Sequence, residues 1–272
     1  MRFTGLFWGL LPLIANAQDG ESYLKSCASM LAMNSRSQTQ FLSNTKREQA
    51  RQDTISASAQ NYRFKSLHHL WQRDYEQAAF WLEKTASLFP KEHGAVGEFY
   101  MSFLRDYPRA LRHLDAHDAL IPNFDEIVNH NPVSYLRGLT YRSMGDHTKA
   151  LEQFSISIDP LESKHGAEWV NYRHYVSRAI SYIATQQPGK ALIDLEKAAK
   201  NFDRSTLVHY YRAKALLQLG RTAEARTAFQ DASFFAKAQQ VERTGDDQED
   251  RFNLLYEFEI DDALAQLKSL TR

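Results

Sequence analysis

Ten histidines are scattered through this 272-residue chain, and two of them, in His113-Leu114-Asp115-Ala116-His117, stand four residues apart. On a helix that spacing sets both imidazoles on one face. With Asp118 they would offer a zinc ion three ligands. The Glu beside the first histidine that a metalloprotease helix requires is absent, so no catalytic metal is expected. His68 and His69 are neighbours and would point about 100° apart on a helix, which makes no ligand pair.

Other chemistry is sparse. The chain has no G-x-G-x-x-G or G-x4-G-K-[ST] phosphate loop and no G-x-S-x-G elbow. The acidic pairs Asp246-Asp247, Glu249-Asp250 and Asp261-Asp262 read as solvated, helix-capping residues rather than an acid/base dyad. Cys27 is the only cysteine, so no internal disulfide forms, and it reads as a small residue on an apolar helix face. Neither catalytic residues nor a cofactor nor a bound metal is expected. A metal-binding protein or exported enzyme on a helical scaffold is the alternative, motivated by the histidines alone.

Lys plus Arg and Asp plus Glu both number 33, a formal net charge of zero. That argues against a general nucleic-acid binder, which carries a basic excess. The chain has 11 Gly and 7 Pro, is rich in Ala and Leu, and is poor in β-branched residues. This composition favours helices over strands.

The first residues read as an address. Met1-Arg2 is basic, Phe3 to Ile14 is mostly apolar, and Ala15-Asn16-Ala17 places small residues before Gln18. That is the pattern of a cleavable secretory signal over residues 1–17. The apolar run is well short of the roughly 20 residues that span a bilayer. An exported protein, periplasmic or secreted, with no stable membrane insertion after cleavage, is the expectation. Residues 18–55 then read as a short amphipathic helix around Tyr23, Leu24, Cys27, Met30 and Leu31, followed by a polar linker.

What must position any site is a repeat of 34 residues. Tyr172–Ser205 and Thr206–Gln239 abut, and Asn131–Lys164 aligns with them. Small, large apolar, turn, small, large apolar and small residues recur in that order. They are Gly138, Tyr141, Gly145, Ala150, Phe154 and Ser157 in one window, and Ala213, Leu216, Gly220, Ala225, Phe229 and Ala232 in another. The third window has Ala179, Tyr182, Gln186, Ala191, Leu195 and Ala198. Asp74-Tyr75-Glu76-Gln77-Ala78 and Asp106-Tyr107-Pro108-Arg109-Ala110 open two weaker copies. Their eighth positions, Ser66 and Glu98, depart from the pattern and leave the first helices of both units out of register or irregular.

This spacing resembles the tetratricopeptide repeat (TPR). The resemblance implies an all-α, right-handed solenoid of about five helix-turn-helix units over residues 56–241. Helices are expected near 56–72, 74–88, 92–105, 107–120, 133–144, 147–158, 168–185, 188–201, 206–219 and 222–241. Surplus residues fall at 125–132 and at 161–168, the latter as a loop or a lengthened first helix of the next unit. Phe252, Leu255, Tyr256, Ile260, Ala263, Leu264 and Leu267 recur at helical spacing, so residues 246–272 are expected to form a capping helix or a degenerate repeat, which a solenoid needs at its end.

The resemblance also implies a groove lined by the first helix of each unit. Carried over, the groove residues are Tyr135, Leu139 and Arg142, then Arg173, Val176 and Ile180, then Tyr210, Lys214 and Leu217. Aromatic and aliphatic groups among three cations suit an extended peptide or a helix with an acidic group. The expected function is an exported scaffold for a protein or peptide partner, in an envelope or secretion-related assembly, without nucleic acid and without catalysis.

Overall fold

The computed structural model describes residues 59, 62–242 and 250–270. The expected signal at 1–17, the helix and linker at 18–55, and Cys27 lie outside them. Among the described residues the regular structure is helical apart from one two-stranded hairpin. It divides into two compact units, one ending at Val96 and one running from Gly97 to the C-terminus.

The first unit holds α1 (62–71) and α2 (Tyr75–Leu88), a 3-10 turn at Pro90–Glu92, and the start of α3 (His93–Phe99). Ser66 is fully buried and donates its hydroxyl to the Ala78 carbonyl at 2.9 Å. Ser66 is therefore small enough for the helix crossing, and this copy is in register after all. Lys65 Nζ sits 4.1 Å from the Trp81 ring centroid, with Tyr62 against the same indole.

The second unit continues with a π-helical turn, Tyr100–Leu104, and α4 (Tyr107–Asp118). Gly97, not Glu98, makes the close approach to α4: a Cβ there would lie 2.8 Å from Leu114 Cγ and 3.1 Å from the Ala110 carbonyl oxygen. The small residue of the crossing thus stands one position earlier than the repeat places it, and the π turn absorbs the extra residue before Asp106. Surplus residues 125–132 fold into a hairpin. β1 (Ile127–Val128) pairs antiparallel with β2 (Asn131–Pro132), and the turn residues Asn129 (φ 45°) and His130 (φ 71°) both take the positive angles a two-residue hairpin demands. Asp125 then holds the start of α5 (Val133–Ser143), accepting from the Ser134 amide at 2.9 Å and from its hydroxyl at 2.5 Å.

Helix α6 runs over His147–His165, through Pro160. The second surplus therefore lengthens the second helix of its unit, where a loop or a longer first helix was expected. Its added acids are held by the next unit. Asp159 meets Arg178, Glu162 meets Lys197, and Asn201 Nδ2 donates at 2.8 Å to the carbonyls of both Ala167 and Val170 in the turn that follows. Four helices complete the array: α7 (Tyr172–Ala184), α8 (Pro188–Asn201), α9 (Thr206–Gln218) and α10 (Thr222–Glu242).

Every turn between paired helices carries one left-handed residue at the same repeat position: Arg73, Arg105, Gly145, Gln186 and Gly220. Asp74, Asp106 and Asp146 cap the following helices, each accepting at 3.1 Å from the amide three residues on. Small residues at the crossings, Ala150, Ala179, Ala191, Ala213 and Ala225, are fully buried.

Beyond α10 the described chain resumes at Asp250. Residues 250–256 are not helical, contrary to the periodicity, and α11 begins only at Glu257 and ends at Leu270. Ile260 and Leu267 of α11 pack on Tyr210, Ala213, Leu216, Ala225 and Phe229, so α11 covers the apolar end of the α9–α10 pair.

Candidate functional site

Helices α5, α7 and α9, the first helices of three successive units, lie side by side. Their shared face carries the residues expected to line a groove. Tyr135, Leu139 and Val176 are there but buried, at 1%, 2% and 0% exposure. Arg142, Arg173 and Ile180 are partly exposed, and Lys214 is exposed beside partly buried Leu217.

For Tyr135 part of this burial comes from the C-terminal segment. The non-helical stretch Asp250–Tyr256 meets this face through residues 250–253. Arg142 Nη1 donates to Asn253 Oδ1 at 2.6 Å, and Arg142 Nη2 donates to the Phe252 carbonyl at 3.0 Å. Asn253 Nδ2 donates to Ser177 Oγ at 2.9 Å and to Asp250 Oδ2 at 2.6 Å. Ser177 Oγ is also 2.9 Å from the Tyr135 hydroxyl. The Phe252 ring stands edge-on to Tyr135, with centroids 6.4 Å apart. Arg251 reaches Glu98 at the far side, where Asn129 of the hairpin turn donates to the same carboxylate at 2.6 Å.

The electrostatics of the face follow from enclosure. Burial lowers the Arg142 pKa, and nearby Tyr135, Tyr211 and Asp250 partly offset it. Burial raises the Tyr135 pKa above the usual phenol range, with the Asp250 charge adding to the rise. His174 stacks on Tyr135 at 3.9 Å between centroids, and burial, then the neighbouring Arg173 charge, push its pKa down to about 4. Glu98 is raised by burial against the lowering effects of Asn129 and Arg251.

No protein-family model matches the chain, and no curated protein does. Solved structures do. The crystal structure of MamA superposes with a TM-score of 0.53 at 15% identity, over 71% of this chain and all (100%) of that one. MamA residues 41 to the end from Desulfovibrio magneticus RS-1 give 0.51 at 19%, over 68% and 97%. Yeast Tom70 gives 0.55 at 16%, over 92% of this chain and 47% of its own. All are TPR proteins. This chain has the fold of a TPR solenoid.

At these identities the likeness is one of fold, so the rest of the site is argued from its own residues. In the last TPR unit α11 covers part of the groove face: Tyr210 is buried against it. Lys214, Leu217 and Gln218 of α9 face Glu259, Asp262 and Gln266 of α11 across a cleft of about 480 Å3, with Tyr210 at its wall. Beside Asp250, a second cleft of about 330 Å3 is lined by His130, Asn131, Asn171, Arg173 and His174. The nine expected groove residues thus divide. Tyr135, Leu139, Arg142 and Val176 form the seat of the chain's own peptide or lie beneath it. Arg173 lines the smaller cleft, Tyr210, Lys214 and Leu217 line the larger one, and Ile180 lines neither.

Ser177, Asp250 and Asn253 were not among the expected residues, although they complete the peptide seat. Ser177 carries no signal of its own in the sequence. Asp250 and Asn253 sit in a stretch whose apolar spacing reads as helix.

The His113 and His117 imidazoles each have their own surroundings. His113 stacks on Tyr100 with centroids 5.4 Å apart, while His117 Nε2 lies 2.9 Å from Glu126 Oε2. Among the described residues no three His, Cys, Asp or Glu gather where they could hold a metal, and no helix is long and apolar enough to cross a membrane.

Proposed function

We propose that this protein is an exported, non-catalytic TPR scaffold that holds a peptide segment of a protein partner along α5, α7 and α9. The observation that carries the reading is the seating of Asp250–Tyr256. A non-helical peptide on that face finds a guanidinium for its carbonyl, a hydroxyl and a cation for its amide side chain, and an aromatic wall. Those are the contacts by which a groove recognises an extended peptide through main chain and alternate side chains. The open cleft at Lys214, with Tyr210 and Leu217 beside it, continues the same face.

The export part of the proposal rests on the basic tip, short apolar run and Ala15-Asn16-Ala17. N-terminal sequencing of the protein from the producing cell, after fractionation, tests it: a mature chain starting at Gln18 outside the cytoplasm is expected, and an intact Met1 terminus in the cytoplasm contradicts it. The scaffold part is tested by affinity capture from envelope extract. Partners retained by the wild type and lost with Tyr210→Ala plus Lys214→Glu support a groove-bound partner. Partners retained equally by both place the interaction elsewhere.

A further inference from the structure

We infer that residues 250–256 are a built-in competitor for the groove, and that its partner is another protein bearing an extended Asp-x-aromatic-Asn segment. This rests on the peptide-groove reading above and names the partner that the groove takes.

The bonding of Arg142 carries the inference. Its guanidinium donates to a neutral side-chain amide and a main-chain carbonyl, with no carboxylate directly on it among the described residues. The amide completes the charge pairing at one remove, because Asn253 accepts from Arg142 while donating to Asp250 and Ser177. Both functions are needed at that point. A carboxylate could accept from Arg142 but would face Asp250 with like charge, and an aliphatic side chain could do neither. The groove therefore reads an amide with an acid three residues before it. The aromatic residue between them is read by Tyr135, and the carbonyl of that aromatic residue by Arg142. Nothing in this set depends on the segment belonging to the same chain.

The hold on the segment is also shallow. Leu254 and Tyr256 remain 42% and 46% exposed, so half of the segment's apolar side chains gain little from docking. Attachment adds to the hydrogen bonds of Arg142 and Ser177 in keeping it in place. α11 is anchored through Ile260 and Leu267, and a short covalent tether presents the segment at an effective concentration on the order of millimolar. A partner with the same pattern and a better-buried residue after the Asn displaces it without disturbing α11. The 330 Å3 cleft beside Asp250, lined by Arg173 and His130, leaves room for a partner residue preceding the acid.

The test uses a fluorescent peptide of residues 250–256, Asp-Arg-Phe-Asn-Leu-Leu-Tyr, and anisotropy titration of the full chain. The wild type is expected to bind weakly. Phe252→Ala with Asn253→Ala, which empties the seat in cis, is expected to bind at least tenfold tighter. Arg251→Ala with Phe252→Ala gives the same direction if the first pair impairs folding. The peptide with Leu in place of its Asn should bind the emptied chain at least tenfold more weakly. Equal, measurable binding to the wild type and both variants overturns the competitor while leaving the peptide groove standing. Binding to none of them, with helical spectra intact, overturns the groove and the competitor together. Concentration-dependent dimers of the wild type that exclude the peptide would overturn a separate partner in favour of exchange between two copies.

Discussion

Arg142 on α5 and Asn253 in the C-terminal segment are 111 residues apart in the chain, yet their side chains meet at 2.6 Å. With the second bond to the Phe252 carbonyl, this guanidinium fastens the segment to the groove. Hydrogen bonds from a charged donor contribute about 1.5–3 kcal/mol each when buried. Arg142→Ala is therefore expected to lower the opening free energy of residues 250–256 by about 1.5–3 kcal/mol for each of the two bonds lost. Native-state hydrogen exchange reads this directly: residues 250–256 should exchange faster while α9 and α10 keep their protection.

Gly138 and Gly145 separate two reasons for glycine in one repeat. A Cβ on Gly138 would lie 2.6 Å from the buried Phe154 ring, an overpacking cost of about 1–3 kcal/mol, offset by about 1 kcal/mol of helix propensity. Gly145 has open space around it but sits at φ 82°, so Ala there costs about 1–2 kcal/mol through the backbone alone. Thermal melts should show both Ala variants destabilised. Phe154→Leu should recover part of the loss for Gly138→Ala and none for Gly145→Ala.

Arg178 ties three helices. It makes a two-point contact with buried Asp194, at 2.7 and 2.8 Å, and reaches Asp159 on α6 at 2.5 Å. Burial works against its charge, and the hydrogen-bonded carboxylates outweigh it, so its pKa rises. Asp194→Ala leaves the buried guanidinium with only the exposed Asp159 carboxylate and should cost about 3–5 kcal/mol. Asp159→Ala should cost about 1 kcal/mol or less, because that carboxylate is 59% exposed. Denaturant unfolding of the two variants checks the contrast.

The imidazole of His174 gives a pH signature. Its pKa falls from 6.5 unfolded to about 4 folded, so the unfolded state binds the extra proton between those values. Its contribution is fully present above pH 6.5 and is lost as pH falls toward 4, by about 3 kcal/mol in total. Tyr135 stacks on the ring, and Arg173 adds positive charge that opposes protonation. Unfolding free energies measured from pH 7.5 to 4.5 should fall in the wild type, and the fall should be shallower in His174→Phe.

How much of this was legible in the sequence depended on how local the cause was. The crossings at Gly138, Ala179 and Ala213 follow from a 34-residue spacing, and the left-handed turns at Gly145 and Gly220 from residue type. The π turn at Tyr100–Leu104 was visible only as a broken register at Glu98, since one extra residue can be absorbed in several ways. The surplus at 161–168 read as a loop or a longer first helix, but Asp159 and Glu162 are held by Arg178 and Lys197 from the next unit, and a local rule takes no account of that. The segment around Asn253 was the largest miss. Phe252, Leu255 and Tyr256 have helical spacing, while Asp250 accepts from the Phe252 amide at 2.9 Å and bonds the Asn253 side chain, a local alternative to helix. The contacts that select it come from α5 and α7, far away in the chain.

The central claim is that Asp250–Tyr256 occupies the peptide groove and yields it to a matching partner. Hydrogen exchange of the wild-type chain, with and without a saturating peptide of residues 250–256, measures it most directly. The account predicts that residues 250–256 of the chain are protected alone and exchange freely once the peptide is bound, while α11 stays protected. Undiminished protection of residues 250–256 with the peptide fully bound would contradict it.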